Sequence, residues 1–424
     1  MTVWRLIRPL DVLYLRGNRL FGGGGDHSEA LMPPWPSLFA GAIRSRMLVD
    51  AGVDLGRFTE ENATAPPALV DALGTPSEPG SFRISAVALL RPGEGTTPAA
   101  PVFPLPADVV VTRRKRGGDR PPNTNGELAP DELEVTRLEP VPLPEAVESS
   151  ARTDLLGLAF RRASPAKPLT GYWLTAEGLA RWLAGGGPGP EQLVHCSKLW
   201  KPDPRLGIAM DRGSRTSAEG KLYTSETVAM ADGAAFLVGI EGVTENQVPA
   251  DGVLRLGGDG RGAEISPWEG TVGWEGPVPT RGEQFVLYLE TPGLFPGGWL
   301  PPGIDPKTLL LKIDDLRAQL SAAAVPRFTV VSGWNVAAHR PKPAQRAVPA
   351  GAVYFFDRVS GDPTVYAEQL WELVEHQLGD RWDTAWKQRR AEGFNNVILG
   401  RWPGGEAQPS GGHSTAGTQP TARR

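Results

Sequence analysis

Basic side chains set among small ones carry the clearest chemistry in this sequence. Between Ile208 and Leu222 stand Arg212, Arg215 and Lys221 against Asp211 and Glu219, interleaved with Gly213, Ser214, Thr216, Ser217 and Gly220. Small residues let a backbone approach phosphates, and the cations neutralise them, so strand-like flanks on either side predict a hairpin that grips a polyanion. In LRLGGDGRGAE, Gly257, Gly258, Gly260 and Gly262 remove bulk around Arg261 and expose backbone N–H groups to phosphate oxygens. A tight turn without ligand fits the same glycines, and neither a dinucleotide fingerprint nor a P-loop matches their spacing. SGWNVAAHRPKPAQRAVPAG holds His339, Arg340, Lys342 and Arg346, with no acidic residue from Gly333 to Gly351. Its prolines pre-shape an extended segment whose cations could follow a single-stranded backbone. Near the N-terminus, Arg16, Arg19 and Phe21 precede GGGG, and Phe21 suits either a stacked base or an anchor to the core.

Catalytic patterns are sparse by comparison. His27, His195, His339, His376 and His413 are scattered, and none pairs at the HxxxH or HExxH spacing of a metal site. His27, closing the N-terminal glycine run, is the one histidine in a setting that suggests acid/base work; a loop or RNA contact is the preferred reading. There is no GxSxG and no Walker pair, and the single Cys196 has no adjacent base. The expectation is no catalytic residue, no metal and no cofactor.

The elements that must hold these residues are short. The chain has 424 residues, 52 glycines and 42 prolines, so strands joined by turn-rich insertions are expected rather than long helices. No run of 18 uncharged apolar residues exists, which predicts no membrane span and a cytoplasmic protein, and one cysteine agrees with a reducing compartment. Net charge is −4, yet the signs segregate: residues 1–25 hold Arg5, Arg8, Arg16 and Arg19 against Asp11, whereas 127–148 hold seven carboxylates against Arg137. That distribution predicts one face for an anion and another for solvent or a protein partner.

VWRLIRP (3–9) alternates like a strand, and a helix follows over 37–52 with Leu38, Ile43, Met47 and Leu48 behind a Ser37 cap. FRISAVALL (82–90), AAFLVGIEG (234–242), VLRLGGDGRG (253–262) and AEISPW (263–268) complete a strand, helix, strand, strand, glycine loop, strand order. A second pass runs from QFVLYLET (284–291) through a partly helical insertion including 306–320. The strands RFTVVSGW (327–334) and GAVYFFD (351–357) follow, then an amphipathic helix over 364–379 with Tyr366, Leu370, Leu373, Val374 and Leu378 on one stripe. GFNNVILGRW (393–402) closes it. The fold class expected is α+β, as two tandem ferredoxin-like (RRM-like, βαββαβ) units over 1–275 and 276–402, with the basic hairpin at about 198–228 and a disordered tail over 403–424. Residues 52–80 and 92–150 lack clear apolar periodicity.

The segment LGIAMDRGSRTSAEGKLYTSE resembles the idr-tg-a-eg-LY signature of the RAMP superfamily, the RNA-binding subunits of CRISPR effector complexes. With PLDVLYLRGNRLF, PWPSLFAGAIRSRM, LRLGGDGRGAEI and GWNVAAHRPKPAQRAVPAGAVYFFD followed by GFNNVILGRW, residues 1–402 are similar to the family of the third subunit of the type III-B CRISPR (Cmr) complex. The resemblance implies a non-catalytic, RNA-binding cap subunit. It would hold the repeat-derived 5′ tag of the CRISPR RNA beside the large Cas10-type subunit and the repeated backbone subunit, with no small-molecule substrate. The candidate RNA-binding set is Arg16, Arg19, Phe21, His27, Arg44, Lys198, Arg212, Arg215, Lys221, Tyr223, Gly257, Gly258, Arg261, Arg340, Lys342, Arg346 and Asn395. The rival readings are a guide-processing endoribonuclease of the same superfamily and an adaptor that touches no RNA.

Overall fold

The computed structural model describes residues 1–403 except 16–26, 29–30, 61–63, 94–98, 115–126, 145–151, 153, 161–164, 211–212, 215, 271, 273–275 and 336–339. The expected tail lies outside the described residues beyond position 403. Period-two burial sorts the strands into layers. In Val3–Pro9, Val3, Arg5 and Ile7 are buried on one side, and Trp4 packs on the other. Phe285, Leu287 and Leu289 likewise face one core, and Val286 and Tyr288 a second.

Two antiparallel sheets result. The N-terminal sheet runs in the order Leu193–His195, Tyr172–Thr175, Ala100–Pro104, Arg83–Arg91, Ala235–Glu241, Val3–Pro9, Gly262–Pro267, Val253–Arg255. The C-terminal sheet runs Leu310–Ile313, Leu316–Ala324, Val353–Ser360, Phe285–Leu289, Val397–Arg401. Helix Pro36–Asp50 covers one face of the first sheet through Phe39, Ile43 and Met47. Tyr366 and Leu370 cover the outer face of the second. The inner faces share a core that includes Ala88, Phe103 and Leu237 from one sheet and Val286, Tyr288 and Phe355 from the other. The Tyr288 hydroxyl crosses this seam and donates to the Pro104 carbonyl at 2.7 Å, which satisfies a phenol that would otherwise be costly to bury.

Several sequence expectations need correction. Helix Pro36–Asp50 starts with Trp35 at its N-cap and no side-chain capping bond, because Pro36 supplies the helical φ at the first position; Ser37 lies inside the first turn. The expected helix over 306–320 is a hairpin, Leu310–Ile313 with Leu316–Ala324. Asp314 adopts a left-handed φ of 48°, and the buried Leu311, Ile313, Leu316, Ala318 and Leu320 show a strand period once that two-residue turn is recognised. Consequently RFTVVSGW is not a strand of the main sheet. Thr329–Val331 pairs instead with Gln345–Ala347 in a separate ribbon that continues as Trp334–Asn335 with Arg340–Pro341. The amphipathic stretch 364–379 is two helices, Thr364–Glu368 and Leu370–Leu378, meeting at Gln369. The segments without periodicity also hold structure: Leu55–Thr59 and Pro67–Leu73 are helical, and Ala100–Pro104 joins the first sheet.

Candidate nucleic-acid interface

The basic hairpin exists, and it is long. Strands Trp200–Met210 and Ser217–Met230 pair antiparallel from Trp200 opposite Met230 to Ile208 opposite Leu222, with a register shift before Met210 meets Ser217. At about 3.3 Å per residue its first strand spans ~35 Å, several times the need of a simple turn. Thr227 donates to the Asp203 carbonyl at 2.9 Å, tying the two strands together near the base of the hairpin. Further out, Leu206, Ile208 and Met210 alternate along the first strand and are 67%, 53% and 62% exposed. Three exposed apolar side chains within five residues of one strand depart from the scattered exposure usual on a monomer.

The N-terminal block joins this hairpin. Leu13 exchanges backbone hydrogen bonds with Val228 at 2.8 and 2.9 Å, and His27–Ser28 pairs in parallel with Thr224 and Ser225. The two flanks of the Arg16 to Phe21 segment therefore lie along the same strand as Lys221 and Tyr223. Segments far apart in the sequence thus share one small sheet. Arg16, Arg19, Phe21, Arg212 and Arg215 themselves lie outside the described residues, and for His27, Lys221 and Tyr223 only the strand placement is described.

The glycine loop has a different physical origin from the one its composition suggests. Gly257 has φ 83°, and a Cβ there would sit 3.0 Å from the Tyr14 carbonyl oxygen; at Gly258 it would meet Tyr14 Cδ1 at 3.0 Å. The Gly258 N–H donates to the Tyr14 carbonyl at 2.9 Å, so it is not free for phosphate. Arg261 pairs with Asp11 at 2.5 Å and with Asp259 at 3.6 Å. A hydrogen bond from the Val12 backbone and then the Arg261 charge hold the Asp11 carboxyl below its ordinary value. The small residues admit Tyr14, and the arginine clamps the loop to the start of the hairpin-bound segment.

Other candidates are also engaged inside the protein. Asn395, at φ 62° and buried, accepts from the Leu294 N–H at 2.5 Å and donates to the Leu294 carbonyl at 3.3 Å, stapling two loops. Arg44 is half-buried and donates to the Leu73 carbonyl at 3.0 Å; burial lowers its ordinary value and the Glu392 charge opposes that. Lys198 reaches Glu127 at 3.3 Å. Arg5, counted in the N-terminal basic stretch, is 1% exposed, donates to the Pro249 and Val248 carbonyls at 2.7 and 3.2 Å and pairs with Glu245 at 2.6 Å. It belongs to the core and not to an anion-binding face.

The acid-free segment from Gly333 to Gly351 finds a carboxylate in space. Lys342 forms an ion pair with Glu392, which also accepts from the buried Arg389 at 2.9 Å. Arg340 and Arg346 are exposed, and the Arg346 guanidinium lies 4.9 Å over the Phe328 ring. Sequence inspection missed two aromatics on this ribbon, Phe328 and Trp334, which are 51% and 57% exposed. Their signal was available, since RFTVVSGW abuts the basic segment, but the sequence reads it only as a strand of the second unit.

Mostly antiparallel sheets, few helices and a long hairpin make this an α+β protein. A chain in the cryo-EM structure of the type III-B Cmr-beta bound to cognate target RNA and AMPPnP, state 1, is similar with a TM-score of 0.51 at 15% identity, covering 93% of this chain and 96% of that one. A chain of the Cmr-beta structure bound to cognate target RNA gives a TM-score of 0.48 at 15% identity over 91% and 94%. A chain of the Csm3-Csm4 subcomplex of the type III-A CRISPR-Cas interference complex gives 0.34 at 9% identity over 85% and 94%. The family model described as CRISPR-associated protein (Cas_Cmr3) matches residues 5–402, and the chain belongs to that family, a Cmr3-type subunit of the type III-B effector complex. No curated protein matches the chain. Among the described residues, no helix is long and apolar enough to cross a membrane.

Proposed function

We propose that this subunit is non-catalytic, holds the repeat-derived 5′ tag of the CRISPR RNA, and docks the large Cas10-type subunit and the repeated backbone subunit. One observation carries the reading: the three-stranded sheet in which the basic hairpin pairs with the N-terminal segment. It pairs Leu13 and His27–Ser28, which flank one cation-rich stretch of the sequence, with the strand that follows the other, nearly 200 positions away, and phosphate binding there would be driven by counterion release. The apolar stripe Leu206, Ile208 and Met210 on the same hairpin supports a protein or base contact alongside it.

The two main sheets support the expected pair of ferredoxin-like units over 1–275 and 276–402. In each, four strands taken in chain order occupy the places 4-1-3-2, all antiparallel. Each unit keeps one of two connecting helices: Pro36–Asp50 in the first, the Thr364–Leu378 pair in the second. A loop with an edge strand stands in for the other.

Replacing Arg212, Arg215 and Lys221 together by alanine tests the reading. The variant should fold, bind tag RNA at least tenfold more weakly, and show a flatter salt dependence, each lost phosphate contact removing about 0.7 from the slope on a single strand. The RNA should be recovered uncut with or without magnesium. Unchanged affinity and slope in a folded variant would remove the hairpin from the RNA contact, and cleavage lost on His27→Ala would place the chain among guide-processing nucleases.

A further inference from the structure

We propose that the ribbon formed by Phe328–Asn335 and Arg340–Ala347 is a second RNA contact, on which Trp334 and Phe328 stack unpaired bases while Arg340, Arg346 and the adjoining Arg327 hold the backbone. The inference rests on the RNA-binding reading above but uses a different part of the molecule. The ribbon stands outside both main sheets, built from Thr329–Val331 paired with Gln345–Ala347 and Trp334–Asn335 paired with Arg340–Pro341. Val331 and Ala347 anchor it to a small core with Leu294, Trp371 and Phe394, so its base is fixed. Arg389 reinforces that base, donating to Gln345 Oε1 at 2.9 Å and to the Ser332 carbonyl at 3.1 Å. Lys342, tied to Glu392, belongs to the same support.

What the base does not use is left facing outward. Phe328 is 51% exposed and Trp334 57%, although among the described residues most aromatics are buried, seven phenylalanines, three tyrosines and Trp182 among them being essentially inaccessible. Two exposed rings on one ribbon offer apolar faces that a partner's planar groups can cover. The partner's charge is set by the surroundings. Arg327, Arg340 and Arg346 are exposed and form no ion pair among the described residues, whereas Arg5, Arg8, Arg83, Arg137, Arg261 and Arg389 all do. Cations without carboxylates beside open aromatic faces suit a strand of phosphates with unpaired bases; a protein surface would need matching acids and an apolar pocket. The Arg346 guanidinium already lies over the Phe328 ring at 4.9 Å, which presents a flat cationic step on which a base can continue the stack. Trp334 lies six residues further along, at most about 20 Å away at strand rise. Stacking of this kind tolerates any base, so the ribbon would secure RNA without reading its sequence.

The test uses the full chain and two fluorescein-labelled single strands, an oligouridylate and an abasic strand of equal length. Trp334→Ala and Phe328→Ala should each weaken oligouridylate binding about tenfold. Trp334→Phe, which keeps an aromatic face, should recover most of the loss. None of the three should change binding of the abasic strand, while Arg340→Ala with Arg346→Ala should weaken both strands. The exposed positions make unfolding an improbable cause, and circular dichroism of each variant checks it. Equal oligouridylate affinity for Trp334→Ala and the unmodified chain, with the hairpin triple variant still impaired, would overturn the ribbon and leave the proposed function standing. Loss of assembly with the neighbouring subunits at unchanged RNA affinity would overturn it in favour of a protein contact. Failure of the unmodified chain to bind either strand would contradict the RNA-binding reading itself.

Discussion

Glu290 shows how a single buried carboxyl reports on the seam between the sheets. It follows strand Phe285–Leu289, is 6% exposed, accepts a hydrogen bond from the Val87 backbone, and has Oε1 without a partner. Burial pushes this carboxyl up to about 8 from an ordinary 4.5. Between those values the folded chain keeps a proton that the unfolded chain has released, so rising pH removes stability across this window and removes no more above about 8. Glu290→Gln keeps an acceptor for Val87 and cannot ionise. Its stability relative to the unmodified chain should therefore rise by on the order of 3 kcal/mol from about pH 5 to about pH 8.5, measured by urea unfolding. Parallel pH profiles would show the carboxyl to be solvated. Asp108 is the contrasting case: burial raises it, but Arg137 pairs with it at 2.9 Å and Trp182 donates at 3.0 Å, so the charge is compensated.

At the scale of elements, composition identifies places better than reasons. Gly257 and Gly258 stood out in the sequence, but the cause of their smallness is Tyr14, more than 240 positions away. Gly258→Val should lower stability by about 1–3 kcal/mol without RNA present, because its side chain must displace the tyrosine. Gly260→Ala meets open space at φ 64° and should cost only about 1 kcal/mol. Equal melting temperatures for Gly258→Val and the unmodified chain would return the loop to the phosphate-binding reading. The hairpin was legible because Arg212 to Lys221 combine turn residues with flanking strands, and strands such as Phe285–Leu289 were legible from β-branched and aromatic runs. The hairpin at 310–324 was not, since LLLKIDDLRAQL fits helical spacing until Asp314 turns left-handed. The internal partners of Lys342 and Asn395 were hidden for another reason: Glu392 and Leu294 are distant in sequence.

Across the whole molecule, net charge is −4 and many of the cations serve the fold itself. Arg5, Arg137, Arg261, Arg389 and Lys342 are consumed in holding loops and sheets together, whereas Arg327, Arg340 and Arg346 on the ribbon remain unpaired among the described residues. The hairpin Trp200–Met210 with Ser217–Met230 and the ribbon Thr329–Val331 with Gln345–Ala347 stand outside two main sheets joined by a shared core. In the proposed reading these two elements would hold RNA at two points while the sheets face neighbouring subunits. Photo-crosslinking within the assembled type III-B complex, with a reactive nucleotide placed at each position of the guide RNA in turn, tests this most directly. Crosslinks from the 5′ tag to peptides of 200–230 and 328–347, and none from the spacer to this chain, are the expected result. Tag nucleotides that crosslink only to other subunits, or spacer nucleotides that crosslink to this chain in their place, would contradict it.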